Sequence, residues 1–305
     1  MIAVVLSGAG ARGPLQVGAM RALIEAGVTP RFLVGTSAGA INAAFVAASG
    51  FSLETLEVMR GNWAKVMRQD IYPGNIVSTT LRFLRRENGL YPNDGMRRMI
   101  RGGLPAGVGT FGDLKLPLYV AAVDLLSSRL FIFGEDRRTP LIDAIVASAT
   151  IPILHPPVAY HGLQLVDGGV LANAAASVAM DKGATQVYVL NAGYKGDPLK
   201  PPKGVVEVAN HTLTTMMAQS LLEDLARART DTGIDLHHVM LSAATPTRFD
   251  EFGSTDELVR TGYDQARAYL TAPRPEIVAP MAARRTDLGE VAPGIREFVP
   301  SYWAR

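Results

Sequence analysis

Three short apolar runs each end abruptly in a glycine motif, and these junctions constrain the fold more than any other feature of the chain. Ile2–Leu6 leads through Ser7 into Gly8-Ala9-Gly10-Ala11-Arg12-Gly13, and Phe32–Val34 leads into Gly35-Thr36-Ser37-Ala38-Gly39. The third, Leu165-Val166, leads into Asp167-Gly168-Gly169. Brief apolar runs punctuated by glycine read as buried strands. Helix-forming stretches follow: Pro14 holds a first-turn position after Gly13, and Ala40–Ala48 continues from Gly39. Further strand-like runs at Leu118–Val123, Leu130–Phe133, Val187–Leu190 and Val239–Leu241 are separated by helical stretches, one opened by Thr139-Pro140 before Leu141–Ala149 and another by Asn93-Asp94. The alternation predicts an α/β fold, a three-layer sandwich with a mostly parallel central sheet flanked by helices.

The chain has 305 residues, 48% of them hydrophobic, enough for one large core. We expect one domain over residues 1–272, with an insertion at about 70–110 forming a lid or rim. The proline-bearing stretch 273–305 is expected to be an irregular tail. No cysteine is present, which removes disulfides, thiolate nucleophiles and cysteine-based metal sites. A net charge of +2 gives no reason to expect nucleic acid as a partner. Arg82, Arg85, Arg86, Arg97, Arg98 and Arg101 cluster against only Glu87 and Asp94, a pattern that suits anionic headgroups or an ordinary solvated surface. Apolar runs are too short to cross a bilayer, and Ile2–Leu6 lacks a basic segment before it, so a cytoplasmic protein, soluble or peripheral at a membrane, is expected.

Gly8–Gly13 matches G-x-G-x-x-G between strand and helix, which raises dinucleotide binding. That function needs an acid at the end of the second strand to hold the ribose, and here the strand ends in Val34-Gly35. Glu25, the one acid between Gly13 and Ser37, belongs to the end of the intervening helix. The loop is better suited to presenting consecutive N–H groups to an oxyanion. Arg12 has two open roles, steadying this loop or contacting a substrate.

G-x-S-x-G in a strand–turn–helix setting places Ser37 at a tight elbow, the alternative being a simple helix cap. A serine hydroxyl needs a base. His211, in a helical stretch, and His237-His238, at the start of a strand, lack the loop setting of a catalytic histidine. Asp167 ends an apolar run before two glycines that permit close approach, and burial raises a carboxylate toward useful basicity. An Asx-turn is its plainer reading.

The three motifs in this order, with Ala147-Ser148-Ala149-Thr150-Ile151-Pro152 and Pro156-Pro157 before the aspartate, closely resemble the patatin-like phospholipase family over roughly Ile2 to Asn191. The resemblance implies a serine lipid acyl hydrolase of phospholipase A or esterase type, acting on lipid or fatty-acyl esters without metal or cofactor. It implies Ser37 as nucleophile, Asp167 as base, an acyl-enzyme, and an oxyanion hole from Gly8, Ala9, Gly10 and Ala38. Arg12, Gly13, Gly35, Gly39, Gly168 and Gly169 are then supporting motif positions. Ala9 departs from the family's usual glycine, which matters if that position needs positive φ. Acyl transfer to another acceptor, or a non-catalytic lipid-binding module, remain alternatives. Asp124 is expected to be a strand-end turn former and His155 a loop residue.

Overall fold

A computed structural model describes residues 1–193, 201–230, 233–243 and 251–273. The chain begins β1 (Ile2–Leu6), α1 (Gly13–Glu25), β2 (Phe32–Thr36), α2 (Ala38–Ser49) and α3 (Leu53–Trp63). Next come α4 (Arg68–Ile71), α5 (Ile76–Leu84), α6 (Asp94–Gly103), β3 (Leu118–Asp124), β4 (Arg129–Phe133) and α7 (Leu141–Ala149). The remainder is β5 (Val158–Tyr160), β6 (Leu163–Asp167), α8 (Gly169–Ala172), α9 (Ala176–Asp181), β7 (Gln186–Asn191), α10 (Val205–Thr230), β8 (Asp235–Met240) and α11 (Thr255–Thr271).

One mixed sheet results. Its parallel block runs β3-β2-β1-β7-β8, and β4, β5 and β6 attach antiparallel beyond it. Ala3–Leu6 and Leu33-Val34 are wholly buried, as parallel strands covered on both faces require. Helices α2 and α7 pack on β3, and α8 and α9 also pack against the sheet. The mostly parallel, helix-flanked α/β architecture expected from the alternation is therefore present.

The register around β3 decides where the motifs meet. Over Val120–Asp124 one edge of β3 is taken by β4. Strand β2 ends with Thr36 opposite Ala121, and β6 ends with Asp167 opposite Ala122. Both must use the other edge, and because β2 runs parallel to β3 and β6 antiparallel, their carboxyl ends converge head-on. Neither strand can continue, so both chains turn out of the sheet at that level.

Two expectations are corrected. The 70–110 stretch is not wholly a rim, because α6 buries Met96 and Ile100 in the core; the exposed part is centred on α5. His237 and His238 lie inside β8 and not at its start, since pairing with β7 begins at Asp235. The short run before Asp167 is a strand as its apolar residues suggest, and it forms a hairpin, β5 pairing with β6 across His161-Gly162. The expected tail, from residue 274 onward, lies outside the described residues.

A buried amide network anchors the first loop. The Asn42 side chain donates to the Gly13 carbonyl (3.0 Å) and to Gln16 Oε1 (2.9 Å), and accepts from Trp63 Nε1 (2.8 Å). Gln16 Nε2 donates in turn to the carbonyls of Ser7 (2.9 Å) and Leu190 (3.1 Å), tying α1 to the ends of β1 and β7. Asn42→Ala strands three buried polar groups at once, and removing one partner from a buried bond costs about 1–3 kcal/mol. We expect Asn42→Ala to lower unfolding free energy by about 3 kcal/mol in urea titrations; a loss within experimental error of zero would mean that the network is dispensable.

Candidate active site

Ser37 occupies the elbow between β2 and α2 with φ 56° and ψ −126°, a conformation that a non-glycine residue holds at a cost of about 1–3 kcal/mol. Its surroundings enforce it. A Cβ on Gly39 would stand 2.2 Å from the Leu6 carbonyl oxygen, and one on Gly35 would stand 2.6 Å from Ala40 Cα. The glycines thus let α2 press directly against β1 and β2. The Ser37 amide donates to Ser148 Oγ at 2.9 Å, and its carbonyl accepts from Ala40 and Ile41 in the first turn of α2.

Asp167 reaches the same point from β6. Its amide donates to the Thr150 carbonyl at 2.8 Å, so Ala147–Thr150 holds both Ser37 and Asp167 in place. The Asp167 carboxylate accepts from the Gly169 amide at 2.8 Å and is hydrogen-bonded to the Ser37 side chain. It is almost wholly buried. That burial pushes its pKa up to about 6, against the opposing pull of the Ser37 and Gly169 hydrogen bonds. Gly168 is required here by space, since a Cβ would stand 2.3 Å from the Ala121 carbonyl oxygen. A carboxylate of this basicity, bonded to a hydroxyl, is chemically able to accept the hydroxyl proton near neutral pH.

The first glycine loop closes the site from β1. The left-handed conformation falls on Gly10 (φ 55°), whereas Ala9 has φ −143°, so alanine carries no backbone strain there. The four expected oxyanion donors do not behave alike. The Gly8 amide is already committed to the Asn173 carbonyl at 2.9 Å. Among the described residues the Ala9 and Gly10 amides have no backbone acceptor, consistent with their place ahead of the helical turn Gly10–Arg12. Ala38 is buried at the first position of α2 and does not line the cleft. The Arg12 guanidinium donates to the carbonyls of Ala9 and Gly193, bracing the loop against the chain that leaves β7.

An open cleft of about 620 Å³ brings these parts together, lined by Gly8, Ala9, Gly10, Arg12, Ser37 and Asp167. Gly13, Gly35, Gly39, Gly168 and Gly169 lie behind the lining as packing positions. The rest of the wall comes from Ile151, from Asn173 and Gly193, and from Asn210, Leu213, Thr214 and Met217 of α10. Sequence reading missed this second set. Asn173 is buried, and its Oδ1 occupies the space that a Cβ on Gly8 would need; its place after Asp-Gly-Gly was the available signal. Helix α10 is pinned beside the site by Ser220 Oγ donating to the Gly169 carbonyl and by Asp224 accepting the Ser177 amide at 3.2 Å.

No histidine among the described residues lines the cleft. His155 is buried against Tyr72 and bonded to the Ile71 carbonyl at 2.9 Å, with its pKa lowered by burial. His237 stacks on Tyr188, and His238 bonds Asn191 at 3.1 Å. Asp124 caps the β3–β4 turn, accepting from Ser127 and Gln164, and those bonds hold its carboxyl below the usual range.

The family model for patatin-like phospholipase matches residues 4–180. Over 197 residues the chain is 29% identical to patatin-like phospholipase domain-containing protein 7 of Rattus norvegicus, covering 64% of this chain and 14% of that protein. It is 32% identical over 186 residues to the uncharacterized protein YqhO of Bacillus subtilis, covering 55% of this chain and 63% of YqhO. The chain therefore spans less than two thirds of the length of these relatives. Human GIVD cytosolic phospholipase A2, solved with methyl γ-linolenyl fluorophosphonate, aligns at 12% identity with a TM-score of 0.46, covering 88% of this chain and 58% of that one. The family match takes in the glycine loop, the serine elbow, the Ala147–Thr150 clamp and the Asp167 turn that together build the cleft, and the chain belongs to the patatin-like phospholipase family.

Proposed function

We propose that the protein is a serine acyl hydrolase for fatty-acyl esters of lipids, working through a Ser37–Asp167 dyad. The observation that carries this reading is the buried Asp167 carboxylate, which shares one cleft with Ser37, a residue held on a strained backbone elbow. Asp167 takes the Ser37 proton as Oγ attacks the ester carbonyl. The amides of Ala9 and Gly10 stabilise the resulting oxyanion, with the amino end of α2 adding its positive field. Gly8 is left out of this hole because its amide is committed to Asn173. Asp167 then returns the proton to the leaving alcohol, which departs and leaves the acyl group on Ser37. Water, deprotonated by Asp167, attacks the acyl-enzyme; the fatty acid leaves and Ser37 recovers its proton. Ile151, Leu213 and Met217 supply an apolar wall for an acyl chain, while Asn173, Asn210 and Thr214 supply polar groups to the same cleft.

Ser37→Ala and Asp167→Asn are each expected to lower kcat for p-nitrophenyl esters by at least about 10³-fold with circular dichroism unchanged, as for removal of one member of a nucleophile–base set. A fluorophosphonate adduct mapped to Ser37 by mass spectrometry supplies the direct test. An active Asp167→Asn enzyme would refute the dyad.

Only the ionised Asp167 can accept a proton, so activity should rise with pH and level off above an acid limb near 6. Stability moves the other way. Between about 3.8 and 6 the folded protein keeps a proton on Asp167 that the unfolded chain has released, so this group's stabilising contribution is lost as pH rises through 6. Asp167→Asn removes that loss, and we expect the variant to exceed the parent in stability by about 2–3 kcal/mol at pH 7.5 and to match it near pH 4. Urea melts at the two pH values measure the difference.

A further inference from the structure

Helix α5 is built inside out. At roughly 100° per residue, Ile76, Val77, Leu81, Phe83 and Leu84 fall within an arc of about 160°. That arc faces solvent: Ile76 is 81% exposed, Val77 70%, Phe83 72% and Leu84 71%. The polar residues Ser78, Thr79 and Arg82 face the protein, and Arg82 Nε donates to the Gly89 carbonyl at 3.0 Å while its guanidinium pairs with Glu87. A helix that satisfied itself within the fold would turn the opposite way. Five large apolar side chains held outward together mark a surface that meets something apolar.

Two further observations say what that is. Arg85 and Arg86 stand exposed at the carboxyl end of the apolar face, placing cations beside it. A lipid surface with anionic headgroups satisfies both features, burying the side chains below the headgroups and pairing the arginines with them. The segment that carries α5 is also joined to the cleft. The amides of Leu90 and Tyr91 donate to the carbonyls of Ile153 and Leu154, two to three residues beyond Ile151 in the cleft wall. Ile153 itself is half exposed, as is Leu126 still more so at the β3–β4 turn, on the end of the sheet where β1 and β2 open into the cleft.

We propose that α5 docks the protein onto an anionic bilayer, with Ile76, Val77, Phe83 and Leu84 entering the headgroup–acyl boundary and Arg85 and Arg86 contacting lipid phosphates. Docking brings the rim at Ile153, and through it the Ile151 wall, to the lipid. The inference rests on the lipid-ester reading for its purpose and not for its measurement, because docking is read with the turnover-deficient Ser37→Ala protein.

Sedimentation with vesicles of phosphatidylcholine, alone or mixed with phosphatidylglycerol, tests it. Ser37→Ala protein is expected to bind the mixed vesicles and to lose binding on phosphatidylcholine alone or near 1 M NaCl, where the screening length falls to about 3 Å. Phe83→Ser with Leu84→Ser is expected to cut partitioning at least about tenfold, and Arg85→Gln or Arg86→Gln about fivefold each. Unchanged melting temperatures establish that the variants are folded; Arg85→Glu with Arg86→Glu, at exposed positions, carries the test if the serine pair is not. Three results would overturn the proposal: equal binding to both vesicle types, binding undiminished in Phe83→Ser/Leu84→Ser, or a parent dimer that this pair dissociates. Vesicle binding by a protein with no esterase activity would sustain the docking surface and count against the hydrolase alone.

Discussion

The head-on meeting of β2 and β6 along one edge of β3 is the constraint on which the rest of the site depends. With Thr36 opposite Ala121 and Asp167 opposite Ala122, two strands end at adjacent positions of a third while running toward each other. Neither can be extended, so Ser37 and Gly168 must turn sharply, and the side chains at the two ends are brought within hydrogen-bonding reach. The left-handed φ of Ser37 is the local cost of that geometry. The amide bonds from Ser37 to Ser148 and from Asp167 to Thr150 fix both turns to one segment at the end of α7.

Around this point the fold leaves few polar groups to chance. Gln16, Asn42 and Trp63 saturate one another and the carbonyls behind the glycine loop, while Arg12 and Asn173 hold the loop from the cleft side. A satisfied network of this kind keeps a loop rigid, because every alternative position strands a buried donor or acceptor. Burial of Asp167 is unlike the rest. It disfavours the charged form, so the group that costs the fold stability at neutral pH is the one made basic enough to exchange a proton with Ser37.

Much of the fold and site is legible in the sequence. The glycine-terminated apolar runs marked β1 and β2, and Thr139-Pro140 marked the start of α7 at Leu141. The family resemblance that their motifs carry implies that Ser37, Asp167 and the Gly8–Gly10 loop share one site, and they line one cleft. Less was visible wherever the partner is distant in sequence. The capture of the Gly8 amide by Asn173 separates Gly8 from Ala9 and Gly10, and its two partners are 165 residues apart by number. The α10 wall has no periodic pattern to distinguish Asn210 and Thr214 from its solvent-facing residues. The arginine cluster read as one patch, but Arg82 and Arg97 are drawn into pairs with Glu87 and Asp143.

The sequence by itself determined which backbone positions could turn tightly and which side chains carried chemistry, because glycine, proline and apolar spacing act locally on φ, ψ and burial. Tertiary structure alone decided which amides are left without a backbone acceptor, how far Asp167 is desolvated, and that α5 presents its apolar face outward. Those properties depend on what packs against a group from elsewhere in the chain. Hydrogen-bond competition and burial are set by contacts closed in three dimensions, and neither spacing nor composition carries that information.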